Sequence, residues 1–585
     1  MLFRSPIRFV LRNTRVYVEL LKYFTNLRGL TDGNAYGCVT ARVYSAFLLS
    51  CSEKSLMELL PLIKEEHRAI ARRDVPVFYS RGGTNHLYRA DGKVLVPHFF
   101  EISPIDVVAR NLAAITPAYT NQVSRYIEIS LKIESLQNGR DIIKNWSYLD
   151  GKRRTIPRSP NTHCETDSDN ASEAAAVRFA EGFAIRAFQA VMRNQMDEKA
   201  FAFYAPKRSM QTGRYELEVL DHSLYNGRYG IACFLDLYGD YFGMPEKTAR
   251  VEQLLEEQLN ELSNRPNGFG LMDLSLTEGL AGFFLMARNH FLIKRRPVPG
   301  AVCDLIAVLS PEDIRSYQNS DYFNGLSGLL YAICELIRLS DLVQKRKAAP
   351  IIRMISEEIL RKRGAQGWFC EDTEYYPLTG LAHGQIGYAL ALTAALPYLE
   401  GSLFEEAVSC IQSAVAYEEH CLDREFSNLP DYRKFQVKLR DASPSRYTKR
   451  FMHGNCSGII GTTTAVLRMN ALLDGRSYQN RLSPNVAKWT EVVKQYLSAE
   501  ELVGNDSLCC GTAAWLDLLC ELEKLDPYHA WAKERIASIT GALQKDGIVL
   551  NGLQQILDDI SLFKGMTGLG YVCLRLLRSY PQITV

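Results

Sequence analysis

The chain has no apolar run of the ~18–20 residues that a membrane-spanning helix requires. Its most apolar stretch, Leu381 to Leu399, is broken by His383, Gln385 and Pro397, so no stable membrane insertion is expected. It has no excess of either charge: 68 Lys and Arg face 66 Asp and Glu, a net +2. Nothing in that balance calls for a polyanion, so nucleic acid is not an expected partner. A phosphate-cradling loop of the form G-x-x-x-x-G-K-[ST] is absent as well, which removes the commonest nucleotide-handling motif. Arg4, Arg8, Arg12 and Arg15 precede the first acid, Glu19. No apolar signal-peptide core follows them, and the expected compartment is the cytoplasm. The 14 cysteines in 585 residues are too sparse for a disulfide scaffold. Cys233, Cys334, Cys520 and Cys573 lie in apolar helical segments, where cysteine serves as a small hydrophobe.

What the chain does have is a glycine motif repeated seven times, each copy opening an apolar helical segment. The copies are LYNGRYGIACFL (224–235), LTEGLAGFFLMA (276–287), YFNGLSGLLYAI (322–333), LAHGQIGYALAL (381–392), FMHGNCSGIIGT (451–462), LCCGTAAWLDLL (508–519) and LFKGMTGLGYVC (562–573). Taking Gly227, Gly279, Gly325, Gly384, Gly454, Gly511 and Gly565 as the leading glycines, the spacing runs from 46 to 70 residues. A unit recurring at this period indicates a repeat architecture, and seven copies can close on themselves without exposed ends. The segments after the glycines are apolar nearly all round and so read as buried helices. Lys247–Leu262 and Ile351–Lys362 alternate charged and apolar residues at helical spacing, as an outer layer would. The expected fold is all-α: an α/α toroid of seven helix pairs, preceded by a smaller mixed, mainly helical segment. The inner-helix starts then face one mouth of the ring.

Residues 1–150 carry no such motif. Residues 151–171, GKRRTIPRSPNTHCETDSDNA, have the composition of an exposed linker. A helix is expected from Ser172 as the first outer helix, with Glu173 in its first turn, so the repeat region is taken as 172–585. A second loop-like insertion, Asp423–Lys449, precedes the fifth motif.

Only three motifs bring sulfur ligands or a histidine to the mouth. The sixth has Cys509 and Cys510 just before Gly511, the fifth has His453 and Cys456 flanking Gly454, and the fourth has His383 before Gly384. Adjacent cysteines alone are a weak metal signal, and two packed thiols are the plainer explanation. At the same repeat position as His453 and Cys456 they form a candidate zinc site, because soft thiolates select zinc and three ligands leave one position open.

These motifs resemble the lanthionine cyclase family, in particular the C-terminal cyclase domain of class II lanthipeptide synthetases. The resemblance rests on DHSLYNGRYGIACFL, DYFNGLSG, GLAHGQIGYALAL, FMHGNCSGI, SLCCG and FKGMTGLGY and covers about residues 172–585. It implies an α/α toroid with a central Zn2+. Cys-Cys-Gly in the sixth motif is similar to the branch whose zinc is held by three cysteines. The fifth motif departs from the family's Trp-Cys-x-Gly: Phe451-Met452-His453-Gly454 puts Met452, a poor ligand, at the cysteine position. The expected ligands are therefore Cys456, Cys509 and Cys510, with His453 the alternative to Cys456. The sixth motif also has Ala514 in place of its second glycine. Residues 1–150, through VLRNTRVYVELLKYF and DVPVFYS, resemble the tail of the dehydratase domain of those synthetases. Dehydration is then expected from a separate dehydratase polypeptide.

By this resemblance the chain closes thioether rings in a precursor peptide (leader plus dehydrated core), adding cysteine thiols to dehydroalanine or dehydrobutyrine. His383 corresponds to the acid–base histidine and Asp321 to the assisting aspartate. On residue type alone, His383 is a helix-start histidine and Asp321 an N-cap. Two rivals remain at this stage. A catalytically silent toroid that binds peptides or proteins is favoured by the Met452 departure and by the lack of a counterpart to the earlier part of the dehydratase domain. An α/α-barrel carbohydrate enzyme would need paired carboxylates at the mouth, for which Asp273 and Glu278 are the candidates.

Overall fold

The computed structural model describes residues 7–9, 56–72, 74–113, 115–138, 154–155, 167–197, 201–208, 215–264, 273–370, 376–433, 451–482, 484–498, 501–502, 504–550 and 558–583. Most of the expected linker (151–171) and the part of the fifth-motif insertion after Arg433 lie outside them. The chain divides into two units, Met1–Arg125 and Tyr126–Val585. The first holds an antiparallel meander of short strands, Ile7–Phe9, Phe78–Ser80, Leu87–Tyr88 and Val94–Val96, paired in that order. Helix Leu56–Ala71 packs on it, and Leu59 and Leu62 close a small core with Phe78, Leu87 and Val96.

The second unit is an α/α toroid. Its inner helices are Arg228–Phe242, Leu280–Ile293, Leu326–Arg338, Gln385–Ala395, Ile459–Leu473, Thr512–Leu522 and Met566–Leu577. Each packs on the next, and the last packs on the first, so the ring closes. They are buried nearly all round; in Leu280–Ile293 every residue from Leu280 to Phe291 is buried. Outer helices Pro245–Ser263, Gly300–Ala307, Leu342–Arg361, Gly401–Cys421, Val486–Leu497 and His529–Asp546 follow the first six inner helices. The outer helix expected from Ser172 begins at Asp167 and packs chiefly against the last inner helix, Met566–Leu577. The start of the repeat region thus covers its end. A feature the sequence did not announce is a three-stranded antiparallel sheet, Gln195–Asp197, Ala202–Arg208 and Tyr215–Val219, between that helix and the first motif. No described helix is long and apolar enough to cross a membrane.

A belt of backbone hydrogen bonds runs round the mouth through the residue two before each helix-capping glycine, except that the donor to the sixth motif is Asn455, one residue earlier than Cys456. Tyr225 N–H donates to Thr277 O (3.1 Å), Thr277 N–H to Phe323 O (3.2 Å), Phe323 N–H to Ala382 O (3.0 Å) and Ala382 N–H to Cys456 O (2.9 Å). Asn455 N–H donates to Cys509 O (2.8 Å), Cys509 N–H to Phe563 O (2.9 Å), and Phe563 N–H returns to Tyr225 O (3.3 Å). Seven motifs satisfy one another's polar backbone where no helix can.

The belt corrects the register of the fifth motif. Gly227, Gly279, Gly325, Gly384, Gly511 and Gly565 each cap their helix, but the fifth helix starts at Ile459 and its cap is Gly458, not Gly454. In G-N-C-S-G-I-I-G the repeated G-x-x-G pair is therefore Gly458 and Gly461. Gly454 serves a different need: a Cβ there would lie 2.3 Å from both Cys509 O and Cys510 Cα, so only glycine permits that approach of the sixth motif. In this register Cys456, not Met452, occupies the belt position; Cys456-Ser457-Gly458 supplies the cysteine two before the glycine, with Asn455 where the family pattern has tryptophan.

Candidate metal centre and its rim

Several belt side chains meet one another across the mouth. The Phe323 and Phe563 rings, from motifs that are not neighbours on the ring, stand 5.6 Å apart edge to face. Tyr225 stacks on Phe563 at 4.7 Å. The other belt positions are Thr277, Ala382, Cys456 and Cys509, so two of the seven carry sulfur. The residues one nearer each glycine form the rim: Asn226, Glu278, Asn324, His383, Ser457, Cys510 and Lys564.

Cys456, Cys509 and Cys510 come together as a group whose ligand atoms all lie within 4.8 Å of one another. The Cys456 and Cys509 sulfurs are in direct contact, close enough to be joined as a disulfide. The Cys510 sulfur lies 3.3 Å from that of Cys509 and 3.6 Å from that of Cys456. Burial pushes the Cys510 thiol up to about 11, against the opposing pull of Arg433 and Lys564. That thiol is protonated at neutral pH, so a metal bound there must displace its proton. Three sulfurs and no carboxylate form a donor set that suits a soft or borderline ion such as zinc, provided that the Cys456–Cys509 pair is reduced. The Tyr225 hydroxyl donates to Cys509 Sγ at 3.1 Å. His453, the alternative ligand, is not in the group: its Nδ1 lies 2.5 Å from the Tyr496 hydroxyl, and its carbonyl accepts from Trp515 Nε1.

One repeat back from Cys456, His383 Nδ1 lies 3.0 Å from Asp321 Oδ2. Asp321 is buried and His383 partly so. Asp321 is not an N-cap, since Gly325 holds that place. It stands four residues before the capping glycine, where the other motifs carry serine or glycine (Ser223, Ser275, Gly380, Gly454, Ser507, Ser561). Serine there accepts the rim N–H, as Ser275 Oγ does from Glu278 at 3.0 Å. Asp321 Oδ1 does this for Asn324 N–H at 2.6 Å, and Oδ2 remains for His383. A carboxylate is therefore more than the turn requires. Asp273, by contrast, is consumed by its own turn, accepting from Ser275 N–H at 2.6 Å and the Tyr317 hydroxyl at 2.7 Å. Reading residues singly missed Tyr225, Phe323 and Phe563. Their signal was the column: each occupies the repeat position of Cys456 and Cys509.

The fold and this site together define an α/α toroid with a soft-metal donor set and a histidine–aspartate pair at one mouth. The chain belongs to the lanthionine synthetase C-like protein family, whose model matches residues 218–583. Such membership supports a lanthionine cyclase of a lanthipeptide synthetase. Residues 2–81 match a further family described as a domain of unknown function, DUF4135. A solved structure described as nisin cyclase is similar over 61% of this chain and 89% of that one, with 18% identity and a TM-score of 0.42. No curated protein matches the chain.

Proposed function

We propose that this chain is a zinc-dependent lanthionine and methyllanthionine cyclase. On this reading it adds cysteine thiols of a ribosomal precursor peptide to dehydroalanine or dehydrobutyrine in the same peptide. The observation that carries the reading is the three-sulfur group one repeat away from the His383–Asp321 pair on a single hydrogen-bonded belt. Cys456, Cys509 and Cys510 would hold the ion. When bound, zinc supplies Lewis-acid activation of a substrate thiol, which has a free pKa of about 8.5 and is otherwise mostly protonated.

The rest falls to this chain's own groups. The addition breaks the thiol S–H bond and the alkene π bond and forms one C–S bond at the β carbon and one C–H bond at the α carbon. The thiol's proton thus balances the one gained at the α carbon, and there is no net oxidation or loss of atoms. His383 moves the proton. The Nδ1–H of His383 donates to Asp321 Oδ2, which leaves Nε2 to accept a proton and deliver it to the enolate carbon. Tyr225, Phe323 and Phe563 form an aromatic wall that excludes water from the reacting sulfur. The Tyr225 hydroxyl on Cys509 orients that ligand.

Cytoplasmic conditions suit the site, because they keep its thiols reduced. The substrate requires prior dehydration of Ser or Thr; residues 1–150 are taken as the C-terminal part of the dehydratase domain of a class II synthetase. The argument that Met452 made for a silent binding toroid weakens once Cys456 takes the belt position, and a zinc measurement separates the two readings. The test is metal content together with turnover of a pre-dehydrated peptide. Ring closure leaves the mass unchanged, so loss of alkylatable thiol is the signal. About one zinc per chain and thiol loss that a chelator stops are expected. A zinc-free protein, or zinc without thiol loss, sinks the reading.

A further inference from the structure

The segment that carries His383 is built unlike four of its counterparts. In four motifs, the N–H four residues before the capping glycine is held locally, by an Asp or Asn two residues upstream. Ser223 N–H donates to Asp221 Oδ1 (3.1 Å), Ser275 N–H to Asp273 Oδ1 (2.6 Å), Ser507 N–H to Asn505 Oδ1 (2.7 Å) and Ser561 N–H to Asp559 Oδ1 (2.8 Å). In the fourth motif the upstream residue is Leu378, which has no acceptor. The acceptor comes instead from the outer helix Gly401–Cys421. Gly380 N–H donates to Glu418 Oε1 at 3.0 Å, and Ile386 N–H, in the first turn of the inner helix, donates to the same oxygen at 3.1 Å. Glu418 is fully buried. One side chain thus ties both ends of the seven-residue stretch in which His383 sits.

That stretch is also wedged against the next motif. Gly380 has φ +91°, and a Cβ there would lie 2.6 Å from Ser457 Cα and 3.1 Å from Cys456 O. Ala382 N–H donates to Cys456 O at 2.9 Å. A shift of the Gly380 turn would therefore move His383 relative to Asp321 on one side and to the sulfur group on the other. We infer that Glu418 is a positioning residue: as a buried acceptor supplied from the outer layer, it sets the place of His383 in the mouth. Burial pushes its carboxyl up to about 8, so at neutral pH it is largely the acid. Oε1, which takes both N–H groups, then acts as an uncharged carbonyl acceptor, a role an amide can also fill.

The kinetic arm of the test rests on the cyclase reading; the exchange arm does not. Glu418→Leu removes the acceptor, and Glu418→Gln keeps one oxygen for both N–H groups. Hydrogen exchange of peptides spanning 378–386 should quicken ~10-fold or more in Glu418→Leu and little in Glu418→Gln. With a pre-dehydrated peptide, kcat should fall ~10–100-fold in Glu418→Leu, the size expected of a displaced acid–base group. KM and zinc content should hold, and Glu418→Gln should restore most of the rate. Unchanged exchange in Glu418→Leu, an equal loss of rate in both variants, or loss of zinc together with rate overturns the inference. If Glu418→Leu does not fold, Glu418→Asp, one methylene too short to reach Ile386, takes its place under the same readings. A wild-type protein that does not cyclise at all refutes the cyclase reading and leaves the exchange result standing.

Discussion

At His383 the choice between a packing histidine and a working one turns on a single oxygen. Asp321 Oδ1 already satisfies the turn, and Oδ2 is left to meet the ring nitrogen of His383. His383→Ala should keep zinc and slow thiol loss from a pre-dehydrated peptide by ~10²–10⁴-fold, the usual span of general acid–base contributions. Asp321→Asn preserves the turn acceptor but presents no charge to the imidazole. A smaller loss, ~10-fold or more, is expected there, since its part is to fix the tautomer. At the sulfur group, substituting Cys456, Cys509 or Cys510 by Ala should each abolish stoichiometric zinc, because a three-ligand site does not survive on two. His453→Ala should retain zinc, its ring being engaged with Tyr496. Metal analysis of the four purified variants checks this; zinc loss in His453→Ala alone would replace Cys456 as the ligand.

The elements meet at glycines, and the fifth motif shows the constraint most sharply. Gly458 has φ +102° with extended ψ, and a Cβ there would sit 2.5 Å from Met452 O. That backbone region is nearly exclusive to glycine and costs other residues ~1–3 kcal/mol before any clash. Gly458→Ala should therefore lose at least about 2 kcal/mol in urea unfolding and weaken zinc retention, since Cys456 lies two residues upstream. Glu418 makes a second prediction at this scale. Its carboxyl is raised by burial to about 8 in the folded chain from an ordinary 4.5. The folded state thus holds the proton more tightly, and the resulting stability is full below about 4.5 and lost as pH rises through about 8. Between pH 7 and 9 the wild-type Tm should fall more steeply than that of Glu418→Gln, in which nothing titrates at this position; parallel curves would contradict it.

Across the whole molecule, the two ends of the ring are built from opposite chemistry. The mouth carries the belt, the sulfurs and the imidazole. The far end, where the inner helices finish, is closed by buried ions and the chain's last described residues. Arg575 pairs with Asp517 and Glu521, and Arg288 pairs with Glu335 at 3.1 Å. Gln582 Nε2 donates to Asp517 Oδ2 at 2.8 Å, and Gln582 O accepts from Arg288 at 3.2 Å. Breaking a buried pair from one side leaves an uncompensated charge and costs about 3–5 kcal/mol. Arg575→Met should lower Tm markedly while zinc content per folded chain stays unchanged, because the metal donors sit at the other end of the helices.

The seven-fold repeat was legible in the sequence because glycine followed by an all-apolar helix is a local demand: a cap needs its backbone freedom, and a buried helix needs apolar residues on every side. The sulfurs and His383 were legible for a related reason, that repeat position is a proxy for place on the ring. The register of the fifth motif was not, since G-N-C-S-G-I-I-G offers two framings and only contact with Cys509 and Cys510 tells which glycine caps the helix. Nor were the aromatic wall, the Glu418 anchor or the ionic far end, whose partners are 32 to 338 residues apart in examples such as Ile386–Glu418, Arg575–Asp517 and Tyr225–Phe563. Local sequence sets which backbone groups need a partner; only closure of the ring decides which distant side chain supplies it.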